Sequence, residues 1–75
     1  MIYRFNVIIE KDKDGFFAWV PELQGCYTQG DSYEEALENI KDAILLHIQD
    51  RLESGEEIPQ PEQVNFTSIE ISLPR

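Results

Sequence analysis

The residues of this 75-residue chain to consider for chemistry are its carboxylates, a single histidine and a single cysteine. Glu10, Glu38, Asp42 and Glu70 are the acids to weigh for magnesium-assisted phosphoryl chemistry, since two or three carboxylates meeting at one spot can hold such an ion. With 15 acidic residues in the chain, such sets arise by chance, and solvated surface with no metal is the expectation. His47 falls on the apolar stripe of a helix, where a lone histidine is expected to pack. Cys26 belongs to a different element, so a zinc site would lack ligands. A Cys26–His47 nucleophilic pair would have no orienting third group and no oxyanion hole. The cysteine reads instead as a small buried hydrophobe. Gly15, Gly25, Gly30 and Gly55 follow no phosphate-cradling pattern. The expectation is no catalytic residue, no metal and no cofactor.

Charge narrows the partners. Fifteen Asp and Glu against six Lys and Arg give a formal charge of −9. Nucleic-acid binding draws on basic groups that neutralise phosphates. Here Arg4, Lys11, Lys13, Lys41, Arg51 and Arg75 are scattered, so direct binding of DNA or RNA by this chain alone is not expected. Such an acidic surface steers a protein toward a basic partner. One cysteine allows no internal disulfide, in keeping with a reducing compartment. The first residues show no signal-peptide pattern. No segment reaches the roughly 20 apolar residues that span a bilayer. A soluble, cytoplasmic protein without a membrane partner is expected.

The elements that must position these groups follow from periodicity. Residues 2–10 alternate, with Tyr3, Phe5, Val7 and Ile9 on one face and Arg4, Asn6, Ile8 and Glu10 on the other, as in a half-buried strand. Asp12-Lys13-Asp14-Gly15 is a polar turn suited to a hairpin with a longer loop. Residues 16–20 form a second strand that is apolar on both faces. Pro21 ends it, Gly25 permits a turn, and Cys26 to Gln29 form a short third strand. Ser32 and Glu35 fit a capping box at the start of a helix from about 33 to 53. Its stripe is Tyr33, Leu37, Ile40, Ile44, His47, Ile48 and Leu52, and Gly55 supplies the stop. Residues 56–66 form a linker with Pro59 and Pro61. Residues 67–73 alternate again, Ile69, Ile71 and Leu73 against Ser68, Glu70 and Ser72, as a last strand.

The expected architecture is α+β: a single domain over residues 1–75, in the order β-β-β-α-β. A mixed four-stranded sheet of order 3-2-1-4 would carry one long helix on one face. The other face would keep an apolar patch, and Ile8, Phe16, Ala18 and Trp19 are the candidates for self-association. A chain of this size buries little core and often gains stability by oligomerising, so a dimer or tetramer is expected.

One stretch carries a resemblance. Phe17-Ala18-Trp19-Val20-Pro21-Glu22-Leu23-Gln24-Gly25-Cys26, followed by Gly30-Asp31-Ser32-Tyr33-Glu34-Glu35-Ala36-Leu37, resembles the HicB-family antitoxins, with their Pro-Glu-Leu-Pro-Gly-Cys, Gly-Asp-Thr and Glu-Glu-Ala segments. It departs at Gln24, where proline is usual, and at Ser32, often threonine. The similarity covers residues 1 to about 53. It implies a partly degraded ribonuclease H-like fold and a non-catalytic antitoxin of a type II toxin–antitoxin pair. Its partner would be a small, basic, mRNA-cleaving HicA-type toxin. Arg4, Asn6 and Ile8 occupy the positions in the first strand where an active ribonuclease H needs an aspartate. No DNA-binding domain is expected after the last strand. The candidate partner-binding residues are Glu22, Leu23, Tyr27, Asp31, Tyr33 and Glu34. Two other readings are a stand-alone oligomeric protein- or ligand-binding module and a residual magnesium-dependent ribonuclease relying on Glu38 or Glu70.

Overall fold

A computed structural model of the chain describes residues 2–61 and 65–74. Its order is β1 (Ile8–Asp12), β2 (Gly15–Trp19), β3 (Tyr27–Gly30) and α1 (Tyr33–Glu53). The three strands form one antiparallel sheet in the order β1-β2-β3. Ile8 lies opposite Trp19 and Ile9 opposite Ala18. Ala18 in turn lies opposite Thr28, and Trp19 opposite Tyr27. The β1–β2 hairpin closes on the Asp12–Gly15 pair. Its loop is therefore the two residues Lys13 and Asp14, tighter than the sequence suggests. The Asp12 carboxylate accepts the Asp14 N–H at 2.8 Å, which replaces the backbone turn a longer loop would supply.

The helix forms where its signals place it. Ser32 is extended, and its Oγ accepts the Glu35 N–H at 3.0 Å. Glu35 Oε1 reaches back to the Asp31 N–H at 3.0 Å, one residue beyond the cap itself. At the other end the Gly55 N–H bonds to the Leu52 carbonyl and the Glu56 N–H to the Arg51 carbonyl, with Gly55 at φ +75°. That pair of bonds is a Schellman stop, which requires a left-handed residue where glycine stands.

α1 lies mainly over β3 and β2 and reaches β1 least. Ala18, Val20, Leu23, Cys26, Ala36 and Ile40 form the buried core, with Phe5, Val7, Ile9, Phe16, Leu37, Ala43 and Ile44 packed around it. Alternation thus turns the odd residues of β1 and the even residues of β2 toward the helix. It leaves Ile8, Glu10, Phe17 and Trp19 on the open face.

The expected four-stranded mixed sheet of order 3-2-1-4 is not formed. Residues 67–73 make no ladder, and Ile69, Ile71 and Leu73 are 77%, 74% and 79% exposed. An alternating pattern prepares a segment to pair but supplies no partner, and among the described residues no strand is hydrogen-bonded to it. The sheet is three-stranded and wholly antiparallel. Residues 2–7, expected to open the first strand, are also outside the ladder. There the Arg4 N–H is satisfied by Gln60 Oε1 at 3.0 Å and the Asn6 N–H by Glu22 Oε1 at 2.8 Å.

Candidate partner-binding surface

Two clefts share Phe17 in their walls. One, of about 360 Å³, lies at the hairpin end and is lined by Asp12, Asp14, Phe16, Phe17, Asp31 and Glu35. The other, also about 360 Å³, is lined by Phe17, Trp19, Pro21, Gln24 and Tyr27. The rings of Phe17 and Tyr27 lie 5.8 Å apart at a 31° tilt, a tilted aromatic pair across β2 and β3. Tyr27 is 63% exposed. The surface thus joins an acidic rim to an exposed aromatic strip, the composition that suits a basic protein partner.

The proposed partner-binding residues separate into distinct environments. Leu23 is 1% exposed and plugs the core beneath the loop of residues 20–26. That loop is held by Val20 N–H to Cys26 O, Leu23 N–H to Val20 O and Cys26 N–H to Leu23 O. Glu22 is half-buried, and its carboxylate takes the Asn6 N–H and, at 3.5 Å, the Asn6 amide. Tyr27, Asp31, Tyr33 and Glu34 are exposed. Among the self-association residues, Ile8 and Trp19 are a directly paired couple on the open face, whereas Phe16 and Ala18 lie on the helix side, Ala18 with no exposure. Asp12, Asp14 and Phe17 join the surface without having been singled out. Their signal is the acidic hairpin turn followed by a strand that is apolar on both faces.

The other chemical candidates stay apart. Glu38 pairs with Lys41 Nζ at 3.4 Å on the exposed side of the helix. Glu10, Asp42 and Glu70 are exposed on three different segments. Among the described residues no three His, Cys, Asp or Glu side chains converge as a metal site. His47 is half-buried, with Cε1 4.0 Å from where a Cβ at Gly25 would lie. Burial pushes the Cys26 thiol above its ordinary range, while the Arg51 charge opposes the shift. Such a thiol is a poor nucleophile. No described helix is long and apolar enough to cross a membrane.

A small one-helix, three-stranded domain with an acidic, aromatic open face is thus the class of protein these features define. Residues 5–72 match the family model described as the HicB-like antitoxin of bacterial toxin–antitoxin systems, and the chain belongs to that family. A UPF0150 protein of Helicobacter pylori is 61% identical over 51 residues, covering 68% of this chain and 69% of its own. Antitoxin HicB 1 of Photorhabdus laumondii is 34% identical over 71 residues, or 93% of this chain, which spans only 46% of that antitoxin's length. Among solved structures, a chain of a HicA3 and HicB3 toxin–antitoxin complex superimposes with a TM-score of 0.64 at 26% identity. That match covers 81% of this chain and 72% of the other.

Proposed function

We propose that this chain is a non-catalytic antitoxin that binds and neutralises a small, basic, HicA-type RNA-cleaving toxin. The observation that carries the reading is the likeness to a chain of a HicA3–HicB3 complex, joined to an exposed surface whose chemistry suits a cationic partner. Asp12, Asp14 and Asp31 attract the toxin and oppose the basic groups with which it holds RNA. Phe17 and Tyr27, with Trp19 beside them, supply apolar contact at the centre, where desolvated aromatic groups contribute most to affinity. Of the residues named from the sequence, Tyr27, Asp31, Tyr33 and Glu34 act at the interface, while Glu22 and Leu23 shape the loop beside it. Neutralisation in this scheme is occlusion. The toxin's RNA site is covered, and no bond is made or broken by the antitoxin.

The test is co-expression with the small basic protein encoded beside it, followed by co-purification and an RNA-cleavage assay. The expected result is a stable complex in which cleavage is suppressed stoichiometrically. A well-folded neighbour that neither co-purifies nor loses its cleavage activity would overturn the reading and favour a stand-alone binding module.

A further inference from the structure

β3 forms one edge of the sheet, and the backbone geometry shows which of its groups are spare. It is hydrogen-bonded only to β2, so its outer side carries no strand among the described residues. Just beyond the Trp19–Tyr27 pair, the Val20 N–H donates to the Cys26 carbonyl at 3.1 Å. Bonded and non-bonded couples alternate along an antiparallel pair. Thr28 and Gly30 therefore bond to Ala18 and Phe16, their register partners, whereas Tyr27 and Gln29 turn their N–H and C=O groups outward. A second observation agrees: the Gln29 carbonyl is met from the helix, by Asn39 Nδ2 at 2.9 Å.

The helix closes only one end of this edge. Asn39 takes the Gln29 carbonyl, and Glu35 Oε1 takes the Asp31 N–H at 3.0 Å. The Tyr27 N–H, the Tyr27 carbonyl and the Gln29 N–H are left, a short template for another strand.

α1 runs back alongside β3. Ala36 lies against Gly30, Asn39 against Gln29 and His47 beside Gly25. The level of Tyr27 therefore falls to the residues between Asn39 and His47. Those three and seven places after Asn39 share its flank. They are Asp42 and Leu46, both exposed, Leu46 at 66%. On the opposite face of the same edge stands the exposed Tyr27 ring, beside Phe17.

A strand laid on this edge has its places assigned. The residue opposite Tyr27 would exchange two main-chain bonds with it and set its side chain beside the Tyr27 ring. Its neighbours would turn to the helix side, one toward Asp42 and one toward Leu46. Asp31, Glu35 and Asp42 border the edge, while Lys41 of the helix is tied to Glu38 at 3.4 Å. The charge favours a cationic strand.

We propose that the toxin is held by strand addition: an extended, basic segment of it pairs antiparallel with the outer edge of β3, bonded to the main chain of Tyr27 and Gln29. This rests on the antitoxin reading and deepens it, because the sheet edge joins the open face as part of the interface.

The test uses the full chain and the small basic protein encoded beside it. Gln29→Pro removes one outward N–H and no ladder bond, at an edge position where proline is tolerated. It is expected to weaken binding by about tenfold or more, since a carbonyl of the partner loses its donor, while the circular dichroism is kept. Gln29→Ala deletes the same side chain but keeps the N–H, and nearly wild-type affinity is expected. Amide hydrogen exchange of the wild-type chain gives a second measurement that needs no variant. In the complex, the Tyr27 and Gln29 amides are expected to gain protection relative to Thr28, which is already in the ladder. Unchanged exchange at both amides in a complex that forms, or equal affinities of the Pro and Ala variants, would overturn the proposal and leave the antitoxin reading standing. Protection that rises with the concentration of the isolated chain would assign the edge to a second copy and overturn it too. The absence of any complex would overturn the antitoxin reading itself, and this inference with it.

Discussion

Gly30 and Ala36 are in backbone contact: a Cβ on Gly30 would lie 2.6 Å from the Ala36 nitrogen and 3.0 Å from its Cα. The end of β3 therefore rests directly on the first turn of α1, at a spot where neither neighbour is a flexible side chain. This contact sets how closely the helix can approach the sheet. Gly30→Ala is expected to force the two elements apart and to cost about 1–3 kcal/mol, the usual range for overpacking. Urea unfolding followed by circular dichroism would measure it. Unchanged stability would show that the strand end can yield without moving the helix.

The N-terminal cap offers a second, smaller test. Ser32→Ala leaves the Glu35 N–H without its acceptor and is expected to lower stability by about 1 kcal/mol. Ser32→Thr keeps the oxygen and is expected to be nearly neutral. A Thr variant as unstable as the Ala variant would mean that the hydroxyl is not what matters.

Glu22 lies on the loop beside the candidate surface, where its carboxylate is already committed to Asn6. Glu22→Ala is expected to destabilise the fold by about 1 kcal/mol through the lost hydrogen bond. Glu22→Gln retains an acceptor and should lose less. Thermal denaturation of both variants, beside a toxin titration, separates the two roles. A large affinity loss in Glu22→Gln with no stability change would make this residue a direct contact.

On the open face, Tyr27→Ser and Phe17→Ser are each expected to weaken toxin binding tenfold or more, as truncation of a central aromatic anchor does. Asp12→Asn with Asp14→Asn should act mainly on the association rate. Surface plasmon resonance distinguishes the two effects. Equal losses in association and dissociation rates across all these variants would argue against the division into rim and centre.

Cys26 carries the pH dependence. Its folded-state pKa is raised, chiefly by burial. The stability it confers is therefore complete below the ordinary thiol pKa of about 8.5 and falls as pH rises from there through the raised folded value. Cys26→Ala should flatten that alkaline decline, and the native thiol should react slowly with a disulfide reagent at neutral pH. Rapid labelling of the folded protein would contradict its burial.

The sequence announces some of this architecture and withholds the rest. The helix is legible because Ser32, Glu35 and Gly55 carry local signals that act whatever lies around them. The hairpin is legible too, but its length is not, because the Asp12 side chain takes the place of a backbone turn. β2 is ambiguous: Phe16, Ala18 and Val20 and the set Phe17 and Trp19 are both apolar, and only the helix decides which is buried. Ile69, Ile71 and Leu73 show how alternation misleads. It encodes a readiness to pair, whereas strand order depends on a partner that the segment cannot specify. Of the surface residues, Tyr27 and Asp31 were legible from the loop and helix start. Asp12, Asp14 and Phe17 needed the register that brings the hairpin tip beside β3.

The exposed Lys41–Glu38 pair sits on a chain of charge −9, so most of its carboxylates repel one another more than they are matched. Dissolved ions shorten the range of that repulsion, to about 10 Å at 0.1 M. Ionic strength then becomes a lever with two opposite arms. Adding electrolyte firms the solitary fold by relaxing its self-repulsion, and the same addition is expected to loosen the proposed hold on a cationic partner.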